Sequence, residues 1–227
     1  MKKTIKSLII SRKGSQRVPS KNTKPFAGSS LLEIKIKQAK RLEAKGLLDG
    51  VVVNTNDDYV IEIAKKYGCE IIKRDEYYCS NEISANELHA HLGETFTADI
   101  AMFTNTTSPL VKDETLERAI KEYWENVENG PYDSLNACHV IKEFLWLDGK
   151  AINYDPDNKP RSQDLPEILS LDSATDIIDC KQMIKDRSFV SKNPYLFVVD
   201  GVEGKEVDWP EDFEICELLY KKHYMEN

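Results

Sequence analysis

Short apolar runs alternate with helix-spaced apolar patterns as far as Val140, and that alternation restricts the chain to an α/β fold. Leu8 to Ile10 reads as a buried strand that empties into a polar loop, after which Leu31 to Lys45 carries Leu32, Ile36, Ala39 and Leu42 at helical spacing before Gly46. Gly50-Val-Val-Val-Asn54 is a second strand; Asn56 is expected to cap a helix from Asp57 to Tyr67, closed by Gly68. A third strand over Cys69 to Ile72 and a helix from about Ser84 to Gly93 follow. Ile100 to Thr104 is a fourth strand, Thr106 to Leu110 a turn, Asp113 to Val127 a helix and Tyr132 to Val140 a fifth strand. This order predicts a mostly parallel sheet with helices on both faces.

The pattern changes near Lys142. From 142 to 193 the periodicity is weak and Pro156, Pro160 and Pro166 interrupt it, yet Ile168, Leu169, Leu171, Ile177 and Ile178 are too many for a disordered linker. The stretch is expected to be an excursion that packs on something, a second subunit included. Tyr195 to Val199 returns as a strand, and Pro210 suits the first turn of a last helix reaching about His223. One domain over residues 1–227 accounts for the whole chain.

The loop after the first strand concentrates chemistry. Arg12, Lys13, Arg17 and Lys21 stand among Gly14, Ser15 and Ser20, beyond the carboxyl end of a strand, where open α/β sheets put their ligands. Cations and free backbone N–H groups there suit a polyphosphate. The chain as a whole carries a net charge of -8, which excludes the broad basic face that nucleic-acid binding needs and leaves a local spot for a small polyanion. The apolar run ending at Ile10 is too short for an export signal and no stretch approaches a membrane span, so the cytoplasm is expected. Five scattered cysteines with no C-x-x-C pair indicate neither a disulfide framework nor a zinc site.

The motifs resemble those of the cytidylyltransferases that activate nonulosonic acids, the CMP-sialic acid synthetase family, along nearly the whole chain. Arg12, Gly14, Ser15, Arg17, Pro19, Lys21 and Asn22 match its opening motif, with Gln16 where lysine is usual. Asn54-Thr-Asn-Asp-Asp58 resembles its Ser-Thr-Asp-Asp segment, and Arg74 matches an arginine after the third strand. Asn105-Thr-Thr-Ser-Pro-Leu110 resembles Gln-Pro-Thr-Ser-Pro-Leu, and Gln163-Asp-Leu-Pro166 matches a run in the family's dimerisation excursion. Glu206-Val-Asp-Trp-Pro-Glu-Asp-Phe213 resembles Asp-Ile-Asp-Thr-Pro-Glu-Asp-Phe.

The resemblance implies a Rossmann-like fold of the nucleotide-diphospho-sugar transferase type, a homodimer, and transfer of CMP from CTP to the anomeric hydroxyl of an acidic sugar in cell-surface polysaccharide biosynthesis. It implies that Arg12 and Lys21 act on the triphosphate, with Ser11, Gly14 and Ser15 around it and Arg17 assisting. Asn22, Arg74 and Ser84 or its neighbour Ala85 would read the nucleotide. Asn105, Gln163 and Asp164 would meet the acceptor, with Arg161 and Lys142 near its carboxylate. Glu206 and Asp208, two apart on an extended segment, point to one side and offer hard oxygens for Mg²⁺; Glu211 and Asp212 read as charges at the start of the last helix. His89 and His91, two apart on a helix, face different directions and do not share a metal. Trp124, Trp146 and Trp209 read as core or interface packing. Two alternatives stay open: the same transfer onto another keto-acid sugar or a phosphonate, and a nucleotide-binding interaction module with little catalysis. A GT-A glycosyltransferase would share sheet and acids but carries its metal motif after a mid-chain strand.

Overall fold

A computed structural model describes residues 2–225. Among these residues nine strands and six α-helices follow one another as β1 (Ile5–Ser11), α1 (Leu31–Ala44), β2 (Val51–Thr55), α2 (Asp58–Lys66), β3 (Glu70–Lys73), α3 (Ala85–Thr95), β4 (Ile100–Phe103), α4 (Asp113–Tyr123), β5 (Ser134–Ile141), the short hairpin β6 (Trp146–Leu147) and β7 (Lys150–Ala151), β8 (Ile168–Asp179), α5 (Cys180–Asp186), β9 (Pro194–Val198) and α6 (Pro210–Tyr224). Seven of the strands form one sheet in the order β3-β2-β1-β4-β8-β5-β9. All its pairings are parallel except the two made by β8, which runs antiparallel to both β4 and β5.

Alternation along each strand sorts the core onto two faces. Ile9, Val51 and Val53 meet Leu32, Ile36 and Ala39 of α1 and Val60 and Ala64 of α2. On the same face Ile100, Met102, Leu135 and Ile177 pack under Leu116, Ile120 and Tyr123 of α4. The opposite face joins Leu8, Ala101 and Ile178 to Leu92 of α3 and to Cys180 and Met183 of α5. The chain leaves β1 toward β2 on one side and returns to β4 on the other, so a cleft opens between the carboxyl ends of β1 and β4.

Three expectations from the sequence are revised. The cap of α2 is Asp57, whose side chain accepts from Tyr59 N. Asn56 is drawn inward instead: its Oδ1 accepts from Lys13 N at 2.9 Å and its amide donates to Glu76 at 2.9 Å. The helix of α4 stops at Tyr123, and Trp124–Glu128 continue in a wider turn. Finally, residues 168–179 of the expected excursion form β8, threaded between β4 and β5, and residues 180–186 form α5; what leaves the sheet is the stretch 142–167 with its small hairpin. Trp146 on that hairpin is exposed, whereas Trp124 packs at the edge of the core under α4. Among the described residues no helix is long and apolar enough to cross a membrane.

The last helix returns to the start of the chain. Phe213 of α6 meets Phe26 edge-to-face at 5.1 Å, in an apolar cluster with Val18, Leu31, Ile34 and Val207. Asp212 caps the helix by accepting from the backbone N–H of Trp209 at 2.9 Å. Replacing Phe213 by Ala removes a buried ring from this cluster and is expected to lower unfolding stability by about 3 kcal/mol; the shift of the urea midpoint measures it, and an unshifted midpoint would show that α6 does not brace the loop.

Candidate functional site

A cavity of about 790 Å³ fills the cleft and crosses the carboxyl edge of the sheet. Arg12, Ser15, Arg17, Lys21 and Asn22 border it on the β1 side, Arg74, Tyr78 and Ser84 toward β3 and α3, and Phe103, Asn105, Asp176 and Phe189 on the β4 and β8 side.

The β1 loop is held by its own hydrogen bonds. Gly14 has φ +82, a left-handed backbone that glycine adopts without penalty, and Lys21 N donates to Val18 O at 3.1 Å while Lys24 N donates to Ser20 O at 2.9 Å. The Lys21 ammonium donates to Val207 O at 2.7 Å and lies 3.7 Å from Asp208; burial pushes its pKa down, with Asp208 opposing. Arg17 lies 3.4 Å from Asp208 and stacks over the Trp209 ring at 4.9 Å. Trp209 is thus an exposed platform rather than core. Arg12 reaches across to donate to Cys79 O at 2.8 Å and Asn81 Oδ1 at 2.9 Å. In a chain of net charge -8, three cations on one rim make a local well for an anion.

Asn22 ties this rim together: its amide donates to Ser11 Oγ at 2.9 Å and its Oδ1 accepts from Thr106 at 3.0 Å. Ser11 is buried behind it and Gly14 shapes the turn; neither borders the cavity. Ser84 does border it, as the cap of α3, accepting from Glu87 N at 3.2 Å.

Arg74 is only 3% exposed. Its Nε donates to Cys79 Sγ at 3.1 Å, and its Nη2 is buried with no hydrogen-bond partner. An orphaned buried guanidinium N–H at a cavity wall is costly unless something else accepts from it.

The two acids near the chain's end diverge. Asp208 borders the cavity with its side chain 52% exposed. Glu206 turns toward β8, where its Oε1 accepts from Ser173 N at 2.8 Å; burial, then the nearby Asp208 and Asp172, raise its pKa against those hydrogen bonds. Asn105 borders the cavity, with its Oδ1 accepting from Thr107 N at 3.3 Å. Gln163 and Asp164 sit outside the cavity on the 142–167 excursion, Asp164 paired with Arg161 at 2.7 Å. Lys142 donates to Leu165 O at 2.7 Å.

Several bordering residues were not singled out from the sequence. Phe103 and Phe189 stack at 4.9 Å, and His89 packs on Phe189 at 4.6 Å; burial lowers the His89 pKa, which keeps it neutral at pH 7. His91 turns away to stack on Tyr78 at 3.6 Å. Asp176 is buried at the β8 end with its pKa raised to about 7, chiefly by burial. Among these, the polar Asp176 within an apolar strand was the one available signal.

The Cytidylyltransferase family model matches residues 7–209 of the chain. The pseudaminic acid cytidylyltransferase of Campylobacter jejuni is 24% identical over 226 residues, covering 96% of each chain. The CMP-N,N'-diacetyllegionaminic acid synthase of Legionella pneumophila is 24% identical over 237 aligned positions, covering 95% of each. Among solved structures, a CMP:2-keto-3-deoxy-manno-octonic acid synthetase complexed with CTP superposes with a TM-score of 0.68 at 15% identity, covering 96% of this chain and 99% of that one; at that identity the likeness speaks for the fold.

Asp176 gives the site a pH signature. The folded carboxyl keeps its proton up to about pH 7, whereas an unfolded aspartate loses it near pH ~4. Folding therefore takes up a proton in between, and stability falls as pH rises through that window. Asp176→Asn removes the ionisation, so its urea midpoint is expected to exceed that of the wild type at pH 8 and to approach it at pH 5. Parallel pH dependences in the two proteins would contradict this.

Proposed function

The chain belongs to the cytidylyltransferase family, and from that premise we propose that it transfers CMP from CTP to the anomeric hydroxyl of a nonulosonic acid, releasing pyrophosphate. The observation that carries this reading is the pairing, across one cavity, of a three-cation rim with the orphaned Nη2 of Arg74. O2 accepts in both pyrimidines, but N3 accepts in cytosine and donates in uracil, so a guanidinium N–H that meets N3 favours cytosine. With the base at Arg74, the triphosphate reaches back to Arg12, Ser15, Arg17 and Lys21.

The acceptor hydroxyl must approach the α-phosphorus against the charge of the phosphates. The chain's part is then neutralisation and alignment. Lys21 is suited to it, because its ammonium is half-buried and held by Val207 O, so little reorganisation is needed as charge moves onto the leaving pyrophosphate. Asn22 and Ser11 keep the loop in register rather than reaching the reacting atoms, and the Ser84 hydroxyl, engaged with Glu87 in the helix cap, has limited freedom toward the base. Asn105, between the phosphate rim and the β8 end, is positioned to hydrogen-bond the acceptor.

A divalent cation fits the donor set in one respect: Asp208 presents a carboxylate on the cavity surface beside the phosphate rim, and Glu206 stands behind it with one oxygen used by Ser173. Bound there, Mg²⁺ would neutralise phosphate oxygens and polarise the α-phosphoryl group. Arg17 and Lys21 occupy Asp208 in the meantime, as counter-charges that phosphate can draw away.

We read the active form as a homodimer. Leu169 and Leu171 of β8 and Leu196 and Val198 of β9 are large apolar side chains left exposed on the strands flanking β5, a patch that a second copy would cover. In that arrangement Gln163, Asp164, Arg161 and Lys142 on the excursion would serve the neighbouring copy's site. Consumption of CTP fits a cytoplasmic enzyme.

Incubation with CTP, Mg²⁺ and a panel of nonulosonic acids should release pyrophosphate with at least one of them; CTP binding without release from any acceptor would overturn the reading. Lys21→Ala is expected to lower kcat/KM by about 100-fold while leaving the urea midpoint close to that of the wild type, and unchanged turnover would remove Lys21 from the site. Asp208→Asn should raise the Mg²⁺ concentration needed for half-maximal rate; an identical Mg²⁺ titration would refute its role as ligand.

A further inference from the structure

The β8 end of the cavity is acidic, and the proposed transfer makes no use of that charge. Asp176 stands opposite Phe103 of β4 and Asn136 of β5 in the sheet register. It is 8% exposed and borders the cavity. Asn136 is oriented by Ser134, whose hydroxyl donates to Oδ1 at 2.7 Å, so its amide donates to Asp176 Oδ1 at 2.6 Å. Among the described residues no donor reaches Asp176 Oδ2. The charges acting on the carboxyl are those of Asp172 and Glu206, both acids, and no lysine or arginine is among them. His89, the other titratable group on this wall, is neutral at pH 7. The rest of this end is lined by the stacked rings of Phe103 and Phe189, with Leu88 and Val190, and by the hydroxyl residues Ser173 and Ser188.

Position assigns this end to the acceptor. In the sheet order β8 lies two strands from β1, on the side away from β2 and β3, which at the usual strand spacing is on the order of 10 Å. The base at Arg74 is on the other side of the phosphate rim, so a group at Asp176 belongs to the molecule that attacks the α-phosphorus.

Resting on the proposed function, we infer that Asp176 selects an acceptor sugar bearing a positively charged nitrogen substituent, a primary amine or an amidine, which donates to its free Oδ2. A buried carboxyl with two acidic neighbours lacks a counter-charge; burial first, and those acids after it, raise its pKa to about 7. A cationic nitrogen supplies the counter-charge and the donor in one group, and a charge-assisted hydrogen bond is roughly twice as strong as a neutral one. Phe103 and Phe189 lie beside the carboxyl and offer ring faces to the cation. A neutral acylamino N–H would satisfy one lone pair and leave the charge unmatched.

The test compares nonulosonic acids that differ at one ring position only, as free amine, amidine or acetamide, with pyrophosphate release as the readout and CTP binding followed by calorimetry. The wild type is expected to use the amine or amidine with kcat/KM at least about tenfold above the acetamide. Asp176→Asn keeps the volume and an oxygen for the Asn136 bond, and should abolish that preference while leaving KM for CTP unchanged. Equal or better use of the acetamide by the wild type would overturn the inference without needing any variant, as would an Asn variant that slows all acceptors alike or keeps the preference. Pyrophosphate release without a preference for the cation removes this inference alone. CTP binding with no release from any acceptor removes the proposed function and the inference with it.

Discussion

The ammonium of Lys21 donates to the carbonyl of Val207, 186 residues further along the chain, and that bond fixes where the charge stands on the rim of the cleft. Val207 O, the carboxylate of Asp208 and the ring of Trp209 together receive Lys21 and Arg17, while Phe26 and Phe213 weld the apolar underside of the same junction. Exposed ion pairs such as Arg17–Asp208 contribute little by themselves; the buried aromatic cluster supplies the stability and the polar contacts set the position. The first and last segments of the chain thereby become one wall.

From that wall the cavity changes character steadily across the sheet. Cations line the β1 rim, a buried guanidinium with an unused donor lies beyond β3, and carboxyls gather at β8. A ligand spanning it must be anionic in the middle, rich in acceptors at one end and donating at the other. This sequence of polarities, rather than any single residue, narrows the chemistry, because each zone disfavours what its neighbour attracts.

Much of the architecture is legible from local patterns. The strands β1 to β4 and their helices follow from apolar runs, glycine stops and the placement of Pro210, since each of those elements is decided by its own residues and their immediate neighbours. The cationic rim is legible for the same reason: Arg12, Arg17 and Lys21 fall in one contiguous loop. What escapes is set by pairing at a distance. β8 reads poorly because its second half is covered on both faces while Leu169 and Leu171 in its first half stay exposed, and because Asp172 and Asp176 interrupt the apolar pattern with acids. Asn56 looks like a cap from its sequence neighbours, yet Lys13 and Glu76 claim its side chain. Phe189 has no local signal at all; Phe103 and His89, from two other elements, make it part of the cavity. Glu206 and Asp208 share a side on an ideal extended segment, but Ser173 draws one of them away.

The insertion of β8 also bears on how the chain is made. During synthesis β1 to β4 can pair as they emerge, but the outer edge of β4 has no partner until residues 176–179 arrive. For the time it takes to add about a third of the polypeptide, the backbone of Ile100 to Phe103 presents open amide and carbonyl groups on an apolar strand, the kind of template on which another nascent chain can seat itself. The excursion between β5 and β8 lengthens that interval, so conditions that slow elongation or crowd ribosomes on one message should favour clumping of unfinished chains over productive closure of the sheet.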